Sequence, residues 1–257
     1  MTSQNIAPLK KLGQNFLKNP NTCLRIVNES NIAGKNVLEI GPGTGALTRH
    51  IVEQKPSKLI LIEPDDRCIE LLTNLCSNTN AKIFHEDALK LDFENITKGE
   101  EFHVISNLPY YISSEILLKL LKSQHIFPSL NLMFQKEVAE RISAEPDNGE
   151  YGRLSVISQA IYDCEIFLHV GSHQFIPAPK VDSAVVYFTR KTNALNFDIK
   201  KLEYITQEFF MHRRKQIGKT LKKLNLSEDN LANIGVLPTM RAENISVEQY
   251  IKLANLI

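Results

Sequence analysis

Short apolar runs alternate with amphipathic segments over the first two thirds of this chain of 257 residues. The runs NVLEI at 36–40 and KLILI at 58–62 have the length and composition of buried strands, and the segment 44–54 between them carries apolar residues at helical spacing. Further strands are predicted at 81–85, 102–106 and 130–135, and further helices at 66–76, 113–122 and 136–142. Strands that alternate with helices of ~10 residues form βαβ units, so the pattern predicts a Rossmann-like α/β fold around a mostly parallel sheet.

The pattern changes near residue 160. The runs YDCEIFLHV at 162–170 and SAVVYFTR at 183–190 have no long helix between them, which predicts antiparallel strands at one edge of the sheet. Beyond them, four segments have helical periodicity: 200–212, 216–224, 227–234 and 247–256. We therefore expect two domains, an α/β domain over 1–192 and a small all-helical domain over 193–257.

Charge and cysteine content exclude several classes of protein. Thirty basic residues against 29 acidic ones leave a net charge of +1, so the overall charge points to no acidic partner. No apolar run approaches the ~18–20 residues that a membrane-spanning helix needs, and the first residues, MTSQNIAPLKK, lack the apolar core of a secretion signal. The four cysteines form no CxxC pair and have no histidine at ligand spacing, so we expect no metal site and a cytoplasmic protein with free thiols.

Two local clusters of positive charge stand out against this balance. The segment HRRKQIGKTLKKLNL at 212–226 contains no acid, and a smaller cluster precedes GQNFLKN near the start of the chain. The basic residues of the two clusters are Lys10, Lys11, Arg213, Arg214, Lys215, Lys219, Lys222 and Lys223. Because affinity for a polyanion follows the number of phosphates neutralised locally, these residues are candidates for nucleic-acid contact.

A glycine-rich loop follows the first of these strands and opens the next helix. Gly41, Gly43 and Gly45 permit a tight turn and let a ligand approach the backbone, and the helix N-terminus adds free N–H groups. With Ala46, the loop satisfies the dinucleotide pattern GxGxxG/A. With Glu39 in front, it also satisfies the E-x-G-x-G-x-G pattern of S-adenosylmethionine-dependent methyltransferases, so both ligands stay open at this point.

Two acids follow the next two strands. Glu63 ends LILIE, 22 residues after Gly41, and a carboxylate there can accept hydrogen bonds from both ribose hydroxyls. Asp87 follows the third strand, where methyltransferases of this architecture accept a hydrogen bond from the adenine amine. Ligands of open α/β sheets bind at the carboxyl ends of the strands, so both acids predict an adenosine-containing ligand without deciding between NAD and S-adenosylmethionine.

The motif Asn107-Leu108-Pro109-Tyr110 follows the fourth strand and resembles the [NDS]PP[YF] motif of amino-methyltransferases. The exocyclic amine of adenine is a weak nucleophile because its lone pair is delocalised into the ring. Two acceptors, the Asn107 side chain and a backbone carbonyl at or before Pro109, would hold that lone pair toward a methyl donor. Pro109 cannot donate a hydrogen bond, and Tyr110 offers a face on which a flipped base can stack.

Six segments of the chain appear in the same order as in one family. They are LGQNFLKNP at 12–20, EIGPGTGALT at 39–48, NLPYYIS at 107–113, MFQKEVAERI at 133–142, YGRLSV at 151–156 and FIPAPKVDSAV at 175–185. Over nearly its whole length the chain resembles the KsgA-type ribosomal RNA adenine dimethyltransferases, with PAPK where PPPK is common. The resemblance implies transfer of methyl groups from S-adenosylmethionine to two adjacent adenosines near the 3′ end of small-subunit ribosomal RNA.

The same resemblance implies roles for individual residues. The cofactor S-adenosylmethionine is expected at Asn15, Leu17, Gly41, Gly43, Glu63, Asp87 and Asn107. The target adenine is expected at Asn107, Leu108, Pro109 and Tyr110, with Phe175 on the other face of the base. The GQNFLKN segment is expected to cover the cofactor, and the two basic clusters are expected to contact RNA. The implied partner is ribosomal RNA in an assembling small subunit, bound by a monomer that uses no metal and no membrane.

Three other functions compete with this interpretation. Erm-type enzymes, which methylate an adenine of large-subunit RNA, share the glycine loop and an N-x-P-Y motif, but FIPAPKVDSAV and YGRLSV favour the small-subunit family. A non-catalytic assembly factor would not need the intact motif that starts at Asn107. An NAD-dependent dehydrogenase would need a hydride-transfer constellation that the sequence does not contain in a recognisable place.

Overall fold

The computed structural model of the chain describes residues 6–9, 12–193, 195–226 and 228–257. Lys10 and Lys11, predicted to contact RNA, lie outside the described residues. The strands are β1 (Phe16–Leu17), β2 (Asn36–Ile40), β3 (Lys58–Ile62), β4 (Ala81–Phe84), β5 (His103–Asn107), β6 (Ser129–Gln135), β7 (Tyr162–Val170), β8 (Phe175–Ile176) and β9 (Ser183–Arg190). The α-helices are α1 (Pro20–Glu29), α2 (Thr48–Glu53), α3 (Asp66–Leu75), α4 (Phe93–Thr97), α5 (Ser113–Lys122), α6 (Lys136–Ser143), α7 (Arg153–Ile161), α8 (Ile199–Phe210), α9 (Gly218–Lys223), α10 (Glu228–Ile234) and α11 (Val247–Ala254).

Seven strands form one sheet in the order β4-β3-β2-β5-β6-β9-β7. The strands from β4 to β6 are parallel neighbours, and β9 runs antiparallel to β6 with Leu132 opposite Val186. This arrangement confirms the predicted mostly parallel sheet with an antiparallel edge. The chain builds β2, β3 and β4 toward one side and then crosses to β5, so the strand order switches between β2 and β5. In open α/β sheets the ligand binds at such a switch point.

The central strands are apolar on both faces because helices cover the sheet on both sides. Val37, Leu38, Leu61 and Ile105 are all 0% exposed. Consecutive buried residues, rather than alternating ones, are what distinguish these strands from half-exposed antiparallel strands. The apolar runs of the sequence therefore specify both the strands and their position in the middle of the layers.

Side-chain caps fix several helix starts. The Asn19 side chain accepts hydrogen bonds from the N–H groups of Asn21 and Thr22, and Pro20 occupies the first position of α1. Asp65 caps α3 through the N–H of Arg67, which places a carboxylate just beyond the carboxyl end of β3. The sequence analysis does not predict α1, α4 or α7, so the structure adds three helices.

The helices of the C-terminal part have an aromatic core of their own. Helices α7, α8 and α11 pack against one another. The Phe209 ring meets Tyr250 edge-on with 5.6 Å between ring centroids, and Phe210 stacks on the same tyrosine at 5.8 Å. The buried Tyr250 hydroxyl donates to the carbonyl of Ala242 at 2.8 Å, so the ring is buried without an unpaired hydroxyl.

The chain forms two compact units, one of Met1–Ala139 with Glu165–Thr189 and one of Glu140–Cys164 with Arg190–Ile257. The sequence analysis expects one boundary, between residues 192 and 193. The second unit resumes close to that boundary, but it also takes in the earlier segment that contains α7. The physical reason is tertiary: α7 packs against α8 and α11, which are far away in sequence.

A core substitution in β5 tests this architecture. Ile105 is 0% exposed in the middle of the sheet, so Ile105→Ala should lower the free energy of unfolding by about 2–5 kcal/mol through lost burial and a residual cavity. Urea unfolding followed by circular dichroism measures the change. The matched control is Leu24→Ala on α1, where the leucine is 39% exposed and the loss should be below about 1 kcal/mol. Equal losses in the two variants would contradict the buried position of β5.

Candidate active site

Four of the predicted site residues lie at one edge of the sheet. Gly41 follows β2, Glu63 follows β3, Asp87 comes three residues after β4, and Asn107 is the last residue of β5. Because these strands are parallel neighbours, their carboxyl ends meet at the same edge. A cavity opens there, lined by the glycine loop, the end of β3, the motif that starts at Asn107 and the segment 12–17.

The three glycines of the loop have left-handed backbone conformations, which glycine adopts without strain. Gly41, Gly43 and Gly45 have φ angles of +65°, +54° and +74°. The Gly41 N–H donates to the carbonyl of Ile62 at 2.8 Å, which ties the loop to the end of β3. A Cβ atom on Gly43 would lie 2.8 Å from Cε1 of Phe16, so this glycine also lets the aromatic ring close one side of the cavity. The loop consequently presents main-chain atoms to the cavity.

Glu63 is 2% exposed, and both of its carboxyl oxygens accept main-chain hydrogen bonds. Oε2 accepts from the Gly43 N–H at 2.8 Å, and Oε1 accepts from the Asp65 N–H at 2.9 Å. Burial raises the pKa of this carboxyl, and the two hydrogen bonds oppose the rise. A carboxylate accepts hydrogen bonds, and the ribose hydroxyls of a bound nucleoside can donate them. Glu63 lies at the strand end where such a ribose binds in open α/β folds.

Glu39 lies in β2 beneath the loop and is 2% exposed. Burial raises its pKa to about 8, the hydrogen bond from the Thr48 hydroxyl opposes the rise, and the Glu63 charge adds to it. The carboxyl is therefore largely protonated at neutral pH and acts as a neutral hydrogen-bonding group. This keeps a second buried negative charge away from Glu63.

Asp87 is half-buried and begins a tight turn in which its Oδ1 accepts the Leu89 N–H at 2.9 Å. The turn is fixed by Lys119 of α5, whose ammonium donates to the carbonyls of Ala88 at 2.9 Å, of Leu89 at 2.7 Å and of Leu91. Burial lowers the pKa of Lys119. Asp87 is not one of the described residues that line the cavity. It follows β4, the neighbour of β3 at the same edge of the sheet. Its contact with adenine stays a prediction.

The Asn107 side chain is half-buried and anchored through its nitrogen, since Nδ2 donates to the carbonyl of Asn15 at 3.1 Å. The amide oxygen is thereby left as the group that faces a ligand. Three residues further along, Tyr110 is anchored by its hydroxyl, which lies 2.6 Å from Oγ of Ser183. Burial raises the pKa of Tyr110, so the phenol stays neutral and can keep this hydrogen bond.

Two oxygen acceptors of the motif have no donor among the described residues: Oδ1 of Asn107 and the main-chain carbonyl of Leu108. The carbonyl of Pro109 accepts the Ile112 N–H at 3.2 Å, and the carbonyl of Tyr110 accepts from the Ser113 hydroxyl at 3.0 Å. The sequence leaves open which backbone carbonyl serves as the second acceptor. The hydrogen bonds single out the carbonyl just before Pro109.

The segment 12–17 forms one wall of the cavity. Its last two residues are β1, which pairs antiparallel with β8 so that Leu17 lies opposite Phe175. Leu17 is 4% exposed, and Asn15 is held by the hydrogen bond between its Nδ2 and the carbonyl of Gly13 at 3.2 Å. Asn15 and Leu17 thus both line the cavity, and their contact with a cofactor stays a prediction.

Phe175 is not brought to the cavity. It is 2% exposed and belongs to the apolar core together with Leu17 and Cys23. Side chains alternate along a strand, so β8 directs Phe175 inward and leaves Ile176 52% exposed. In this arrangement the Phe175 ring cannot stack on a base, and the residue supports β1 from within the core instead.

Two residues of the site are missing from the sequence analysis. Phe16, which covers Gly43, stands inside the segment GQNFLKN, so an aromatic beside Asn15 was the available signal. Ser183, which anchors Tyr110, had no signal, because only the pairing of β9 with β6 carries it to the motif.

The basic segment 213–223 belongs to the second unit and is only partly available for RNA. The Nε of Arg213 pairs with Glu243 at 3.1 Å, and Lys223 pairs with Glu208 at 2.6 Å. Four other basic residues are exposed and have no acidic partner among the described residues: Arg214, Lys215, Lys219 and Lys222. The structure therefore assigns Arg213 a role inside the helical unit and leaves these four side chains directed to solvent.

Within the described part of the chain, no group of three or more His, Cys, Asp and Glu side chains could hold a metal ion. None of the helices described for the chain is long and apolar enough to cross a membrane. The four cysteines are unpaired.

These residues fit S-adenosylmethionine. The glycine loop lines the cavity with main-chain atoms and leaves space that larger side chains would occupy. Glu63 provides a carboxyl group for the ribose hydroxyls, and the Asn107 motif provides two acceptors for an amine. With the strand order and its antiparallel β9, they define a Rossmann-like S-adenosylmethionine-dependent methyltransferase.

Comparisons with known proteins agree with this class. The family described as "Ribosomal RNA adenine dimethylase" matches residues 8–257. A Bartonella henselae protein named ribosomal RNA small subunit methyltransferase A is 39% identical over 256 residues, which cover 96% of this chain and 92% of that protein. A protein of the same name from Pelagibacter ubique is 41% identical over 249 residues, with 95% and 94% covered. The chain therefore belongs to the ribosomal RNA adenine dimethylase family.

Solved structures share the fold over nearly the whole chain. A dimethyladenosine transferase from Plasmodium falciparum superimposes with a TM-score of 0.79 at 28% identity, covering 93% of this chain and 95% of that one. The 23S rRNA methyltransferase ErmE superimposes with a TM-score of 0.73 at 25% identity, covering 94% and 98%. Only the second name specifies an RNA substrate, 23S rRNA, so the shared fold by itself does not select between small-subunit and large-subunit RNA.

The buried carboxyl of Glu39 makes the stability of the protein depend on pH. Its pKa is about 8 in the folded protein against an ordinary value of 4.5, so between these values the folded state binds more protons than the unfolded state. The free energy of unfolding should consequently fall as the pH rises through this range, by at most about 1.4 kcal/mol per pH unit for this group. Glu39→Gln should make the fall shallower, because glutamine stays neutral.

Urea unfolding between about pH 5.5 and about pH 7.5 measures this slope. The matched control is Glu29→Gln, an exposed glutamate on α1, which should keep the slope of the unsubstituted protein. An unchanged slope in Glu39→Gln would contradict a protonated Glu39.

Proposed function

We infer that this chain is an S-adenosylmethionine-dependent ribosomal RNA adenine dimethyltransferase that forms N6,N6-dimethyladenosine in small-subunit ribosomal RNA. The observation that carries this function is the pair of free acceptors, Oδ1 of Asn107 and the carbonyl of Leu108, at the cavity of a chain from this family. Two acceptors on consecutive residues of the cavity wall match in number the two N–H groups of an exocyclic amine. Relatives at 39–41% identity carry the small-subunit name, which supports that substrate over large-subunit RNA.

The motif residues act on the amine by orienting it. When bound, the cofactor supplies an electrophilic methyl group. Asn107 and Leu108 accept the two N–H groups, which turns the nitrogen lone pair away from the adenine ring and toward the donor. The acids that line the cavity, Glu39 and Glu63, are already engaged by hydroxyl and main-chain donors. No general base is needed, because the nitrogen becomes acidic once it is methylated and can release its proton to water.

Tyr110 supplies the surface against which the base lies. Its ring lines the cavity, and the hydrogen bond to Ser183 fixes the ring from its far end. Stacking of a base on such a ring contributes about 1–3 kcal/mol, which offsets part of the cost of unstacking the adenosine from the RNA. Phe175, buried in the core, has no part in this contact.

The finer features of the function follow from the substrate and the family. We propose two adjacent adenosines near the 3′ end of the RNA as the targets and an assembling small subunit as the partner. A cytoplasmic location is supported by this substrate, since small subunits assemble there. We also propose that the protein acts as a monomer and uses no metal; the absence of a metal is supported by Glu39 and Glu63, whose oxygen atoms already accept hydroxyl and main-chain hydrogen bonds.

The first experiment is methyl transfer from labelled S-adenosylmethionine to undermethylated small subunits, with large subunits in parallel. Digestion and mass analysis of the nucleosides should find N6,N6-dimethyladenosine in small-subunit RNA alone. Asn107→Ala should lower kcat/KM at least about 100-fold, because it removes one of the two acceptors in the transition state. Calorimetry should show that the variant still binds the cofactor.

The matched control for that experiment is Asn74→Ala, an exposed asparagine on α3, which should keep full activity. Product on large subunits alone would assign the chain to the activity named for ErmE. No product on either subunit, with cofactor bound, would contradict the catalytic function and favour a binding protein.

The exposed lysines of the second unit should bind RNA phosphate. Lys219 and Lys222 line a recess of the helical unit and have no acidic partner among the described residues, whereas Lys223 is paired with Glu208. Lys219→Ala and Lys222→Ala should each weaken small-subunit binding and reduce the slope of log affinity against log salt by about 1. Filter binding between about 50 and 200 mM salt measures both quantities. Lys223→Ala is the control, and an equal loss in this variant would contradict the distinction between paired and free lysines.

A further inference from the structure

Besides the pairing of β1 with β8, the side chain of Gln14 connects the wall formed by residues 12–17 to the chain just after β3. Its Nε2 donates to Oδ2 of Asp65 at 2.8 Å, and its Oε1 accepts the Leu9 N–H at 2.8 Å. Gln14 thus connects the wall to the residue that follows the end of β3 and caps α3. The sequence analysis names neither Gln14 nor Asp65 as an individual residue of the site.

Asp65 is itself held by an arginine. It is 3% exposed, and it accepts from Arg67 Nε at 2.8 Å through Oδ1 and from Arg67 Nη2 at 2.6 Å through Oδ2. The third nitrogen, Nη1, reaches the carbonyl of Ala7 at 3.0 Å, so Arg67 also holds the chain that precedes the wall. The hydrogen bonds from the Arg67 guanidinium lower the pKa of Asp65 to about 2, so Asp65 is ionised at neutral pH.

The same group of residues contacts the candidate cofactor site at two places. The Asp65 N–H donates to Glu63, the carboxylate expected to hold the ribose. At the wall, Phe16 covers Gly43, and the carbonyl of Asn15 orients the Asn107 amide. A displacement of the wall would therefore disturb contacts on the cofactor side and on the target side of the cavity together.

We propose that Gln14 and Arg67 are positioning residues that act through Asp65 to hold residues 12–17 against the cavity, and that this hold sets the affinity for S-adenosylmethionine. The inference rests on the proposed function, because it requires the cofactor at this cavity. It assigns no contact between the cofactor and Gln14 or Arg67. Their contribution is to keep the wall ordered before the cofactor arrives, which reduces the entropy lost on binding.

The test is calorimetric titration of S-adenosylmethionine into the full chain without RNA. Gln14→Ala and Arg67→Ala should each raise Kd at least about fivefold. The double variant should be at most about twofold weaker than the weaker single variant, because both side chains act through Asp65, whereas independent effects would multiply. Arg67→Lys keeps one donor to Asp65 but cannot also reach Ala7, so its Kd should be intermediate.

Steady-state kinetics on small subunits separates positioning from a general loss of structure. KM for the cofactor should rise with Kd, while kcat at saturating cofactor stays within about threefold, because bound cofactor restores the wall. The matched control is Arg25→Ala, an exposed arginine on α1, which should leave Kd and kcat unchanged.

Three results would overturn the inference: Kd within twofold of the unsubstituted protein in both single variants, a fall in kcat with Kd unchanged, or effects that multiply in the double variant. If the unsubstituted protein itself binds no S-adenosylmethionine, the proposed function fails, and this inference fails with it. If the unsubstituted protein binds and the variants bind equally well, only the inference about Gln14 and Arg67 fails.

Discussion

The parallel pairing of β2 with β3 on one side and β5 on the other is the constraint on which the site depends. It brings the ends of three separate chain segments to one edge, where Gly41, Glu63 and Asn107 meet although more than 20 residues separate each from the next. The strands are apolar on both faces, so this edge is the place where main-chain groups are released from the sheet. Polar chemistry is concentrated there because the rest of the sheet has no room for it.

Burial at that edge of the sheet, together with the hydrogen bonds that each carboxyl group accepts, shifts the pKa values of its acids. Burial raises the pKa of Glu63 and two main-chain donors oppose the rise, whereas Glu39, with one hydroxyl donor, has a pKa of about 8 and is mostly neutral at pH 7. Asp65 lies nearby and is fully charged because an arginine encloses it. Three carboxyl groups within one small region therefore take three different roles, and each role follows from what donates to the oxygen atoms.

The sequence predicts what is local. Apolar runs gave the strands of the sheet, and the spacing of glycines, acids and the Asn107 motif gave the site residues, because each of these patterns lies within a few positions of one strand end. It does not predict what distant pairing decides. The sequence suggests that Phe175 stacks on a base, but its position in β8 places the ring in the core. The sequence suggests that Arg213 is a free cation, but in the structure it is paired with Glu243. Helix α1 had a usable signal in Asn19 and Pro20, whereas α7 is buried on nearly every side and has no clear amphipathic pattern.

The anchored amide of Asn107 has a consequence for how the reaction ends. Because Nδ2 is committed to Asn15, the amide cannot rotate to offer a donor in place of its oxygen. An unmodified adenine fills both acceptors, a monomethylated one fills a single acceptor, and a dimethylated one fills neither. Each transfer thus removes one reason for the base to stay, and the finished nucleotide is the form that the motif no longer holds. The number of hydrogen atoms on one nitrogen therefore sets how many hydrogen bonds the motif makes to the base, and the product makes none.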